Sequence, residues 1–137
     1  MWRLAPGVGS MHGMTMKGPG WRTLAALLGA AGATHFVAPQ VYRPLIPRAL
    51  GNPQPWVLGS GVAELACAAA LIPRRTRRSA ALASAALFVA VYPGNITMAV
   101  DAHRRPASRA VRTASLVRLP MQVPLVWWAL RIARRNT

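Results

Sequence analysis

Acidic residues are nearly missing from this chain. Of its 137 residues two are Asp or Glu, while 17 are Lys or Arg, a formal net charge of +15. Charged residues make up 14% of the chain, against about 25%, in both signs, for an average soluble domain. The mixed-sign charge that keeps a globular surface wet is therefore absent. Two carboxylates and three separated histidines make no convincing metal constellation. One cysteine, Cys67, excludes an internal disulfide framework and a CxxC redox pair; alone on an apolar helix it reads as a small core residue. There is no phosphate-binding glycine loop and no nucleophile–base motif. What is abundant is apolar: 53% of residues are hydrophobic and the mean hydropathy is +0.28. That composition excludes a disordered chain. A membrane protein and a strongly basic nucleic-acid binder are the two classes left.

The arrangement of charge separates them. A nucleic-acid binder spreads basic residues over an element that meets phosphate. Here they stand in blocks, Arg74-Arg75-Thr76-Arg77-Arg78, then Arg104, Arg105, Arg109 and Arg112, then Arg131, Arg134 and Arg135. Long runs of Ala, Leu, Val and Gly lie between. Transmembrane helices with basic flanks explain this pattern, and no nucleic-acid partner is expected. The first block reads as a topology signal that can also meet anionic lipid. Four apolar segments can be drawn, at about 23–38, 55–72, 79–100 and 116–132. A span needs about 17–25 residues, so the first is short and the third comfortable. No ten-residue alternating strands appear, which leaves helix. The expected fold class is all-α, an integral membrane four-helix bundle over residues 21–135.

Small residues line two of these segments: Ala25, Gly29 and Ala33 on the first, and Ala81, Ala85, Ala86 and Ala90 on the third. Such stripes suit packing within one bundle or a contact between two copies in a homo-oligomer. Counting Lys and Arg gives ten on the side of both chain ends and seven on the other, which places both termini in the cytoplasm and the protein in the cytoplasmic (inner) membrane. Trp21, Tyr42, Trp56, Trp127 and Trp128 stand near the expected boundaries. Residues 1–20, with Met11, Met14 and Met16, read as a disordered leader or as the product of an upstream start site. A signal peptide ending near Ala31-Gly32-Ala33 is the alternative to an uncleaved first span.

Four stretches resemble the DoxX family of small four-helix membrane proteins: GATHFVAPQVY at 32–42, GSGVAEL at 59–65 before the Arg-rich turn, FVAVYPGNITMAVD at 88–101, and RLPMQVPLVWW at 118–128. They fall in order and at compatible spacing over Trp21 to Arg135. The resemblance implies a four-span bundle in the cytoplasmic membrane. It also implies an association with redox enzymes, because named members include a subunit linked to thiosulfate:quinone oxidation. It implies no catalytic residue.

Polar groups inside hydrocarbon need partners. Glu64 lies about 13 Å along the second span, near mid-depth. It must therefore stay neutral there or face a cationic or hydrogen-bonding partner. By depth alone His35, Glu64, Asn95 and Gln122 come from four helices to one level. They are expected to form one intramembrane polar cluster, either a hydrogen-bonded network or a ligand site. Arg118, nearby, is expected to snorkel to the surface or to pair with Glu64. Asp101 offsets part of the third basic block. His12 and His103 lie outside the spans, and His35 alone at membrane depth disfavours haem. Pro93 should kink the third span, with Asn95 and Thr97 bonding to freed backbone groups. Pro120 is tolerable in a first turn, and Pro124 should bend the fourth span. Two kinked helices would open a small cavity beside the cluster, or merely shape the bundle.

The first functional expectation is a non-catalytic membrane subunit or scaffold for a partner, such as a redox enzyme. The alternatives are a quinone-linked oxidoreductase component and a small-solute or proton carrier using Glu64, the latter weakened by the lack of an inverted repeat. No cofactor other than a quinone is suggested.

Overall fold

A computed structural model describes residues 20–136. The expected leader, and His12 with it, lies outside the described residues but for Gly20. The described chain is all-α, with no strand: α1 (Trp21–Val37), α2 (Pro53–Ala70), α3 (Arg74–Ala90), α4 (Tyr92–Arg104) and α5 (Arg109–Arg135). Three single 3-10 turns, Pro39–Val41, Arg43–Leu45 and Arg48–Leu50, fill the connection between α1 and α2. Local signals set the starts. Asn52 accepts a hydrogen bond from the Gln54 amide at 3.0 Å, with Pro53 in the first turn of α2. Ser108 accepts from the Val111 amide at 3.2 Å and starts α5.

Two of the expected segments are differently built. The third is two helices, interrupted at Val91. Pro93 cannot donate to the carbonyl of Val89, so one rung of the ladder is missing there while the i→i−4 bonds on either side are kept. The Val91 amide donates to Leu87 at 3.0 Å and the Asn95 amide to Val91 at 3.2 Å. Thr97 Oγ1 donates back to the carbonyl of Pro93 at 3.0 Å. The fourth begins earlier than expected, at Arg109, so Pro120 is in the helix interior and not its first turn; α5 continues unbroken through it and Pro124.

By length and hydropathy one helix suffices to cross a membrane. It is the 31-residue stretch Arg74–Arg104, α3 and α4 taken together. A second qualifies only if α1 is joined to Pro39–Leu45 across a 101° bend. The four qualifying spans that the sequence suggested are thus not all met. The Pro53-Gln54-Pro55 start and Glu64 dilute α2, and Arg118, Gln122 and two prolines dilute α5.

Packing follows connectivity. Helix α1 lies along α2, α3 along α5, α4 also against α5, and α2 touches α3. Leu24 and Leu28 of α1, Leu71 after α2, Ala81 and Phe88 of α3, and Ala129 and Ile132 of α5 form one buried cluster. This core sits at the end where α1 and α3 begin and α5 finishes. The small-residue stripe on α1 is not the buried one. Ala33 is exposed, whereas Leu24, Leu28, Gly32 and His35 are buried. On α3, Ala81 and Ala85 are buried but Ala86 and Ala90 are not. The close approach of α1 and α2 is made by Gly32 and Gly61. A Cβ on Gly61 would stand 2.7 Å from that of His35, and one on Gly32 would stand 3.0 Å from the Gly61 carbonyl oxygen.

Arg77 belongs to the run Arg74–Arg78, yet it alone of that run is buried. Its Nε donates to the carbonyl of Leu71 at 2.9 Å and its Nη2 to that of Ile72 at 2.7 Å. Its guanidinium lies 3.9 Å above the Trp21 ring. A cation thus satisfies the free carbonyls that end α2 and stacks on the start of α1. Elsewhere the surface is unusually apolar. Twenty large apolar side chains are exposed among the described residues, against six that are buried.

Candidate functional site

The Gly32–Gly61 contact determines where His35 sits. With no side chain at either glycine, the imidazole enters between α1 and α2 and is buried. Its Nδ1 is 2.8 Å from the carbonyl oxygen of Ala31. A carbonyl only accepts, so Nδ1 bears a proton. Glu64 Oε2 lies 3.3 Å from the same Nδ1, is itself buried and has no hydrogen bond among the described residues. Tyr42 stacks on the imidazole with centroids 3.6 Å apart and planes 18° from parallel. The Thr34 hydroxyl donates to Ala31 at 2.7 Å, so the 2.5 Å contact between Thr34 Oγ1 and the Tyr42 hydroxyl has Tyr42 as donor.

Asn95 and Gln122 form a second unit. Asn95 Nδ2 donates to Gln122 Oε1 at 3.1 Å, and Gln122 Nε2 donates to the carbonyl of Phe88. Both residues are buried. Of the four polar side chains, the structure pairs His35 with Glu64 between α1 and α2 and Asn95 with Gln122 between α4 and α5. Arg118 forms no ion pair with Glu64. It is half-buried, with Nη1 3.7 Å from Met98 Sδ. Asp101 is half-buried on α4, beside Arg43, Arg48 and Arg105 rather than near the pairs. Cys67 is half-buried and packs on the core.

A cavity of about 330 Å³ opens beside His35. His35, Tyr42, Ser60, Trp56, Pro93 and Gly94 are among its lining, the rest being aliphatic side chains of α2, α4 and the 3-10 turns. Pro93 and Gly94 line this cavity and His35 stands on its wall, whereas Glu64, Asn95 and Gln122 do not line it. Gly94 closes one side: a Cβ there would be 2.7 Å from the Leu45 carbonyl oxygen, so only glycine lets the turn approach α4. Sequence reading missed Tyr42 and Thr34 as partners of His35. Pro39 was the available signal, since a proline just past a helix end turns the chain back. Among the described residues no group of three metal-ligating side chains occurs.

This arrangement can accept or donate hydrogen bonds at an apolar cavity wall. It contains no nucleophile with an adjacent base. No curated protein and no solved structure matches the chain. A family model described as "Domain of unknown function (DUF8561)" matches residues 24–133, nearly the whole described fold. The chain belongs to that family, the Domain of unknown function (DUF8561) family.

Proposed function

We propose that the chain is an integral protein of the cytoplasmic membrane, a four-helix-bundle type in which α3 and α4 form one kinked span, and that it acts as a non-catalytic subunit or scaffold for a partner enzyme. The observation that carries the membrane reading is the outward placement of large apolar side chains. Leu27, Phe36, Val62, Leu82, Val89, Ile96, Val117 and Val123 are exposed on helix sides. Water around so many would cost about 1.5–3 kcal/mol for each fully exposed side chain, and lipid removes that cost. Arginines gather at the two ends instead. Arg77 meets Trp21 at one end, whereas Arg43, Arg48 and Arg105 share a pocket at the other. The count of Lys and Arg supports both termini in the cytoplasm. The DoxX resemblance supports the same architecture and an association with redox enzymes.

A groove of about 450 Å³ supports the subunit reading. Val123, Val126, Trp127 and Leu130 of α5 form one wall, Val89 and Tyr92 the other, with Gln122 also lining it. An apolar groove containing one amide suits a partner's transmembrane helix, which gains packing and a side-chain hydrogen bond there. Purification in mild detergent followed by mass spectrometry of proteins tests this. A stoichiometric partner protein is expected, and a chain that always purifies alone overturns the subunit reading. A chain that stays in the supernatant after ultracentrifugation without detergent overturns the membrane reading.

The cavity beside His35 favours a second reading, a quinone-linked component. Its aliphatic wall suits a prenyl tail, and the Ser60 hydroxyl on that wall can donate to a quinone carbonyl. Quinone binding unchanged in Ser60→Ala removes that reading.

A further inference from the structure

At the end of the fold opposite the core, the turns after α1 meet the last turn of α4 around a pocket of about 380 Å³. Arg43, Arg48 and Arg105 line it together with Asp101, one of the two acidic residues in the sequence. Arg43 is held by a neutral partner, its Nη2 donating to Gln54 Oε1 at 3.1 Å. Asp101 shares the pocket with three guanidinium groups and forms an ion pair with none of them among the described residues. Gly51, at φ +75°, turns the wall from Arg48 towards α2.

The mixed charge restricts what fits. A simple anion gains from the arginines and is repelled by Asp101. A simple cation meets the reverse. A ligand with a negative and a positive group a few atoms apart satisfies both. Guanidinium matches phosphate oxygens in a planar, bidentate way, and a carboxylate accepts from an ammonium. In the membrane reading, on which this inference rests, this end of the bundle lies among the lipid head groups of the non-cytoplasmic leaflet. We propose that this pocket binds a phospholipid head group bearing a phosphate diester and a primary ammonium, the ethanolamine type, with the phosphate on Arg43, Arg48 and Arg105 and the ammonium on Asp101.

The test is native mass spectrometry of the full chain released from nanodiscs containing equal parts of ethanolamine, glycerol and choline phospholipids. The ethanolamine lipid is expected to be retained about tenfold over the other two, the order given by one charge-assisted hydrogen bond. Asp101→Asn should abolish that preference and leave phosphate binding, so that the glycerol lipid is retained equally. Arg48→Gln with Arg105→Gln should reduce retention of all three. Both side chains of the double variant are exposed, and an unchanged far-UV circular dichroism spectrum separates lost binding from lost folding. Equal retention of the three lipids by the unaltered chain overturns the proposal, as does a preference that survives Asp101→Asn. Soluble glycerophosphoethanolamine is the second arm. If it binds with the same dependence on Asp101 while the diacyl lipid is not retained, the lipid assignment is overturned. Failure of the membrane reading shows separately, as sedimentation behaviour without detergent.

Discussion

Replacing Arg77 by Met separates a structural arginine from a charge run. Met keeps an unbranched stem against Trp21 and removes the guanidinium. Two hydrogen bonds from a charged donor are lost, at 2.9 and 2.7 Å, to carbonyls that end α2. Each such bond contributes about 1.5–3 kcal/mol, and the stacking on Trp21 adds about 0.5–2 kcal/mol. Two effects reduce the sum. The removed cation no longer has to be desolvated, and Ile72 is exposed, so its carbonyl regains solvent. Leu71 is fully buried, so its carbonyl is left without a partner, a loss of about 1–3 kcal/mol. The expected net destabilisation is about 2–4 kcal/mol. Unfolding by titration of mild-detergent micelles with a denaturing detergent, followed by circular dichroism, measures it. Arg75→Gln and Arg78→Gln, at exposed positions of the same run, should shift stability by no more than about 0.5 kcal/mol. Arg77→Lys should fall between, because an ammonium lacks the fork that reaches both carbonyls. An Arg77→Met variant as stable as Arg75→Gln would refute the reasoning.

Two further predictions concern the polar pairs. Gly61→Ala should lose about 1–2 kcal/mol after its better helix propensity is counted, since its Cβ would meet that of His35 at 2.7 Å. Gly29→Ala, whose nearest neighbour is 3.9 Å away, should be neutral or stabilising in the same unfolding assay, and equal effects would refute the close approach. Asn95→Ala and Gln122→Ala should be coupled in a double-mutant cycle by about 0.5–2 kcal/mol. Strict additivity would contradict the bond between them.

The helices were legible because the chain punctuates them. Pro53 and Pro73 stand at starts, Ser108 caps α5, and the apolar runs match α1, α2 and the α3–α4 pair to within a few residues. Position along each helix was legible too, since rise per residue is fixed. Azimuth was not. Depth arithmetic brought His35, Glu64, Asn95 and Gln122 to one level. Which way each faces depends on which helices pair, and that is set by non-local contacts such as Gly32 on Gly61. Glu64 is turned to α1, while Asn95 and Gln122 face each other. The role of Arg77 was visible in principle. It stands on the face continued by Ala81, Ser84, Ala85 and Phe88, whereas Arg75 and Arg78 do not share its burial. The basic pocket was hidden because Arg43 and Arg48 are joined to Asp101 and Arg105 only through the approach of the turns to Gly94.

The bare backbone at Gly32 and Gly61 acts as a single notch. Sliding α1 along α2 by one turn in either direction would push Leu28 or Phe36 into a space that cannot hold even one methyl group. These two rods therefore have one axial setting, and the imidazole is indexed to it. Any change in the shape of the chamber beside it must come from the segments on its far side, the three short turns and the proline-started rod they touch.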